Sequence, residues 1–293
     1  MKKKLLITGG EGFLGGRLAQ YYQERFSVTA VGHSDLDIGE EKAVRKLVLD
    51  LHPDIVLHCA AISNTGTCEE QPVLSERINK NGTIYLAQAC KETGSRLIFM
   101  SSDQIYAGSR TLTPNKESEE VPLVNVYGTH KRQAEKSVME ILPDAVCLRL
   151  PWLYDIPRAG LKTNSNLVCT LINALVNQQP VTFPVHDYRG ITWVWDVVAH
   201  MESAMELPGG VYNFGGESSW SAYEIGVFFM KLLRQGMETE LLIEDGKRYA
   251  DCPRNLTMDS GKLKKCGIAF PETKSGLQIF YEKNKEMIES LIL

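Results

Sequence analysis

The chain has 293 residues, 43% of them hydrophobic and 23% charged, with a formal net charge of −4 and a pI near 5.9. This suits one large α/β domain, or a domain with a smaller lobe, and the acidic balance argues against nucleic acid or an anionic membrane as partner. Seven scattered cysteines without a Cys-x-x-Cys, and six histidines without paired spacing, fit reduced thiols in a cytoplasmic protein and offer no metal site.

The basic start, Met1 to Lys4, is followed by an apolar run that glycines break after three residues, far short of a secretion signal. No apolar stretch approaches the ~18 residues of a membrane span. Residues 4–8 read as a buried strand and run into Gly9-Gly-Glu-Gly12-Phe-Leu-Gly15, after which residues 16–24 read as helical. Strand, glycine turn and helix in that order allow close backbone approach to a pyrophosphate lying at the helix N-terminus. A second strand is predicted at 27–31. Its end carries Gly32, His33 and Ser34 where an NAD-binding chain usually places an acid for the ribose 2′-hydroxyl. The next carboxylate is Asp35, and Arg17 and His33 can add positive charge, so this end favours NADP(H) over NAD(H).

Residues 40–51 have helical apolar spacing, and 54–58 form a third strand ending in the small residues Cys59, Ala60 and Ala61. Small residues there let the backbone approach a ligand above the carboxyl edge of a parallel sheet. One long helix is predicted over 73–92 and a fourth strand over 96–100, with Ser101, Ser102 and Asp103 at its end. Tyr127 then stands four residues before Lys131 in a helical segment, so phenol and ammonium share a face. An isolated pair of this kind is an ordinary surface couple. In a partly desolvated site, beside a second positive charge such as a nicotinamide ring, the pair is expected to lower the phenol pKa from about 10.

A further strand is predicted at 145–150, and strands alternating with helices to that point imply right-handed βαβ units and a doubly wound parallel sheet. Beyond Pro151 the pattern loosens: helices at 166–177, 194–207, 222–233 and 275–291, and strands at 181–183, 190–193 and 211–214. Residues 1–150 are therefore expected to form a Rossmann-type dinucleotide-binding domain. Residues 151–293 mainly form a substrate-binding lobe, with about 181–207 returning to the first domain.

Thr8-Gly-Gly-Glu-Gly-Phe-Leu-Gly15, Ser101-Ser-Asp103 and Tyr127-Gly-Thr-His-Lys131, in that order, resemble an extended short-chain dehydrogenase/reductase. Within that superfamily the chain is most similar to the dTDP-4-dehydrorhamnose reductase family. The supporting phrases are Asp35-Leu-Asp-Ile38, His52-Pro-Asp-Ile-Val56, Pro122-Leu-Val-Asn-Val-Tyr-Gly128, Arg149-Leu-Pro-Trp-Leu-Tyr154, Gly210-Val-Tyr-Asn213 and Pro253-Arg-Asn-Leu-Thr-Met-Asp259. The resemblance implies an NAD(P)H-dependent reductase of a 4-keto nucleotide sugar, cytoplasmic, monomeric or homodimeric, without nucleic acid, membrane or metal. It implies a catalytic set of Ser102, Tyr127 and Lys131. It implies cofactor contacts at Gly9, Gly12, Phe13, Leu14, Gly15, His33, Ser34, Asp37, Ile38, Cys59, Ala60, Ala61, Ser101, Tyr127 and Lys131. The sugar is implied to meet Ser102, Asp103, Gln104, Tyr127 and Trp152, the last also readable as a core aromatic. Departures fall where substrate or ribose would sit: Gln104 for an aromatic, Ile62-Ser-Asn-Thr-Gly-Thr67 for a segment ending in Val-Asp, and Gly32 for an acid. Two alternatives remain on the same scaffold. One is an epimerase or dehydratase that recycles its nicotinamide; the other is a non-catalytic dinucleotide-binding subunit, like the regulatory subunit of methionine adenosyltransferase.

Overall fold

The computed structural model describes residues 2–237 and 239–292. The strands β1 (Lys4–Thr8), β2 (Ser27–Val31) and β3 (Ile55–His58) alternate with the helices α1 (Phe13–Tyr22) and α2 (Glu41–Leu51). After β3 the chain runs through α3 (Thr65–Glu70), α4 (Pro72–Ser75) and α5 (Gly82–Thr93) to β4 (Arg96–Ser102). Next come α6 (Val126–Ile141), β5 (Val146–Leu150) and β6 (Trp152–Tyr154). The remainder holds α7 (Leu167–Asn177), β7 (Val181–Pro184), β8 (Asp187–Tyr188), β9 (Ile191–Trp193), α8 (Val194–Met205) and β10 (Gly210–Asn213). It closes with α9 (Ala222–Leu233), β11 (Leu242–Asp245), β12 (Arg254–Asn255), α10 (Gly261–Lys265) and α11 (Thr273–Ile292).

Among the described residues the main sheet has six strands in the order β10-β5-β4-β3-β1-β2, all parallel. β3 and β5 are buried along their whole length, which explains their unbroken apolar runs. One face packs on α1 and α8 through Leu14, Leu18 and Tyr22 against Val194, Val198 and Met201. The other face is covered by α2, α5 and α6 through Val44, Val48, Leu86, Ala134 and Val138. The fold is a Rossmann-like, doubly wound parallel α/β architecture. Its order reverses between β1 and β3, and the crevice beyond their carboxyl ends is where such sheets take ligands.

Two local features depart from the predicted elements. The helix expected over 73–92 is broken in register: a π-helical segment, Glu76–Asn81, joins α4 to α5. It surrounds Asn79, whose fully buried amide accepts from the Ile62 N–H at 2.9 Å and donates to the Ile62 carbonyl at 3.0 Å. The other feature is α3, where no element is predicted from the sequence, started by Asn64, whose side chain accepts from the Thr67 N–H at 2.8 Å. In the second half, α7, α9 and α11 enclose a third core around Leu171, Phe229 and Phe280. The 211–214 strand is β10, an edge of the main sheet against β5.

Candidate active site

The turn between β1 and α1 is held by close backbone packing. Gly9 has φ +69°, and a Cβ there would lie 2.8 Å from the Ala60 nitrogen, so glycine alone lets β1 and the end of β3 meet. A Cβ on Gly15 would collide with the Gly9 carbonyl oxygen, which fixes α1 against the turn. Gly12 begins α1 with no side-chain cap, so the first-turn N–H groups lack partners within the helix and present its positive end. Two adjoining cavities flank this terminus. One, of about 440 Å³, runs over the end of β2; the other, of about 550 Å³, runs over the ends of β3, β4 and β5. The geometry fits a dinucleotide, with its pyrophosphate on the helix end.

Ser102, Tyr127 and Lys131 all line the larger cavity. Ser102 closes β4, where its hydroxyl accepts from the Gln104 N–H at 3.2 Å and donates to Asp103 Oδ1 at 3.2 Å. Tyr127 and Lys131 lie in the first turns of α6, which Asn125 caps by accepting from the Gly128 N–H at 2.6 Å. Both side chains are buried, 7% and 2% exposed. Lys131 does not sit on the phenol oxygen. Its Nζ is 5.7 Å from the Tyr127 ring centre, lies over the Phe99 ring at 4.6 Å and donates to the Met100 carbonyl at 2.8 Å.

The electrostatics reverse the expected direction at the phenol. Burial pushes Tyr127 above its ordinary value, the Asp103 carboxylate adds to the rise, and a Ser102 hydrogen bond opposes it. Lys131 is pulled down from its usual 10.5 to about 8, chiefly by burial. Desolvation therefore sets the direction at both groups in the protein by itself. The resulting group is a neutral phenol, a proton donor.

Opposite this set lies an arrangement the sequence did not single out. Arg189, 8% exposed, places its Nη2 3.5 Å from Asp103 Oδ2 and its guanidinium 4.8 Å from the Trp152 ring centre. Asp103 Oδ2 and Arg189 Nε are buried without a hydrogen-bond partner, and both residues line the larger cavity. Burial raises the Asp103 pKa, with Arg189 opposing. No spacing rule links positions 103 and 189; β8 and β9 bring them together in three dimensions.

The two cavities between them are lined by every proposed cofactor and sugar contact except Ser34, which is exposed outside both. Ser101 lines the larger one, but its hydroxyl donates to Glu135 at 2.6 Å. Arg17 cannot serve a 2′-phosphate: it is fully buried and bound to Asp155 at 3.0 Å. Among the described residues no three His, Cys, Asp or Glu side chains cluster to hold a metal, and no helix is long and apolar enough to cross a membrane.

The family model described as RmlD substrate binding domain matches residues 3–285. A dTDP-4-dehydrorhamnose reductase of Streptomyces griseus is 31% identical over 91% of this chain and 89% of its own length. A methionine adenosyltransferase 2 subunit beta of Xenopus laevis is 26% identical over 91% of this chain and 83% of that protein. Among solved structures, dTDP-4-dehydrorhamnose reductase from Bacillus anthracis, in complex with NADP, is similar at a TM-score of 0.85 and 23% identity. That match covers 97% of this chain and all (100%) of that one. A UDP-glucose 4-epimerase from Thermotoga maritima, solved with UDP-glucose, is similar at 0.79 and 21% identity, covering 97% and 99%.

Proposed function

Since the chain belongs to the RmlD substrate-binding domain family, we propose that it is an NAD(P)H-dependent reductase of a 4-keto nucleotide sugar. The reaction it fits best takes dTDP-4-dehydro-L-rhamnose to dTDP-L-rhamnose. The observation that carries this reading is the convergence of Ser102, Tyr127 and Lys131 on one cavity beside the uncapped end of α1. The choice between NADP(H) and NAD(H) rests with the charges around Gly32.

When bound, the dinucleotide supplies the hydride that attacks the ketone carbon. Tyr127 gives its proton to the oxygen as negative charge develops there, which a phenol held neutral by burial is ready to do. Ser102 donates a second hydrogen bond to that oxygen, its O–H turning from Asp103 to the substrate. Lys131, anchored on the Met100 carbonyl, keeps two N–H donors for the nicotinamide ribose. Gln104 and Trp152 border the sugar, and Arg189 and Asp103 offer it a buried donor and acceptor. We assign residues 1–150 to the dinucleotide-binding domain and 151–293 mainly to the substrate lobe, with α8 and β10 (194–213) returning to the first domain's sheet. The protein works in the cytoplasm as a monomer or homodimer.

The test is hydride tracing. With reduced cofactor carrying deuterium at the transferable position, the sugar product should hold that deuterium at its former ketone carbon while the cofactor ends oxidised. Product formed without net cofactor oxidation would contradict the proposal and indicate an epimerase or dehydratase.

A further inference from the structure

The sequence leaves the end of β2 without the acid that a ribose 2′-hydroxyl normally meets, because residue 32 is glycine. The structure puts a carboxylate there from elsewhere in the chain. The glycine turn is tied to β2 by the Gly10 N–H donating to the Val31 carbonyl at 2.9 Å. A Cβ on Gly10 would lie 2.7 Å from the Ala30 Cβ, so the approach is close along the whole junction. The next residue, Glu11, therefore extends over Gly32. A Cβ built on Gly32 would lie 2.8 Å from Glu11 Cγ, and the Glu11 carboxyl carbon and one carboxyl oxygen would be closer still. Glu11 thus fills the space in which an acidic side chain on residue 32 would begin. Glu11, Gly32, His33 and Asp37 line the same cavity.

The cations nearby are largely committed. Arg17 is buried on Asp155. Arg77 stands between Asp37 at 2.9 Å and Glu40 at 3.2 Å. Asp35 adds another carboxylate, accepting from the Gly32 N–H at 2.8 Å. Lys162 lines both cavities, where they adjoin, and His33 is exposed on the turn after β2.

We propose that Glu11 is the specificity-determining residue of the cofactor site, accepting a hydrogen bond from the ribose 2′-hydroxyl and repelling a 2′-phosphate, so that the enzyme prefers NAD(H). This rests on the dinucleotide reading above and overturns the preference for NADP(H) expected from the empty position at Gly32. A carboxylate–hydroxyl hydrogen bond replaced by like-charge repulsion corresponds to a change of about tenfold or more in affinity at a solvated site.

The experiment is calorimetric titration of NAD⁺ and of NADP⁺ into the full-length protein without any sugar. Wild type should bind NAD⁺ at least about tenfold more tightly, and Glu11→Gln should shrink that ratio by about tenfold. The double variant Glu11→Ala, Gly32→Asp moves the acid back to the strand end and should restore the NAD⁺ preference. Residue 32 is free of any left-handed backbone requirement that would bar a side chain. Equal or tighter binding of NADP⁺ by wild type, or an unchanged ratio in Glu11→Gln, would overturn the proposal. Failure of wild type to bind either dinucleotide would refute the underlying cofactor reading instead.

Discussion

Tyr127 and Lys131 are paired by sequence spacing, yet burial governs each of them separately. The phenol is held neutral and the ammonium is brought down to about 8. Tyr127→Phe should therefore lose roughly 10²–10⁴ in turnover, the usual size of a general acid–base contribution, while the Kd for dinucleotide changes little. Single-turnover kinetics with a separate binding titration checks both halves. Lys131 carries a stability cost as well. Its folded pKa lies below its usual 10.5, so the unfolded chain binds more protons between about pH 8 and 10.5, and stability rises with pH across that window. Below about pH 8 the cost is fully present. Lys131→Met should then raise the unfolding free energy at pH 7 by about 1–3 kcal/mol, allowing for the lost bond to Met100, and should abolish activity. Denaturant melts at pH 7 and pH 10 test this, the gain shrinking at the higher pH.

At the level of elements, the placing of the proposed catalytic set depends on how α6 meets the end of β4. A Cβ on Gly128 would lie 2.9 Å from the Gln104 carbonyl carbon and closer to its oxygen, so helix and strand end touch through bare backbone. Gly128→Ala should push the two apart and lower kcat at least about tenfold, because misplacement on the order of 1 Å at a reacting centre is costly. The fold itself should survive, as read by circular dichroism. The glycine following Tyr127 was visible in the sequence, but its partner was not, since Gln104 lies far from it along the chain. The π-helical segment was equally hidden. Apolar spacing over 73–92 fits a regular helix, and only the two bonds from Asn79 to residue 62 reveal why the register shifts. Asn79→Leu should cost about 1–3 kcal/mol by leaving the Ile62 N–H without its acceptor, while the Ile62 carbonyl keeps only the Cys68 thiol. A denaturant midpoint measures it.

Across the whole molecule the two halves are joined by Asp155, which lies beyond β6 and binds Arg17 on α1. Arg158, Trp193 and Trp195 also donate to its carboxylate, at 2.8, 3.2 and 3.0 Å. Removing it would leave the buried Arg17 without its counterion, and Asp155→Ala should lower stability by about 3–5 kcal/mol, seen in chemical unfolding. The parallel sheet and its glycine turn were legible because a buried strand, a turn and a helix each leave a local signature. The second half was less so: β8 and β12 span two residues each, and the Asp103–Arg189 arrangement spans 86 positions, 189 minus 103. The central claim is that Tyr127 protonates a sugar ketone as a bound dinucleotide reduces it. Its most direct test follows NAD(P)H oxidation on mixing the protein with dTDP-4-dehydro-L-rhamnose. Wild type should consume one equivalent of NAD(P)H per ketone, with Tyr127→Phe nearly inactive; no oxidation by wild type, or equal rates in both, would contradict the account.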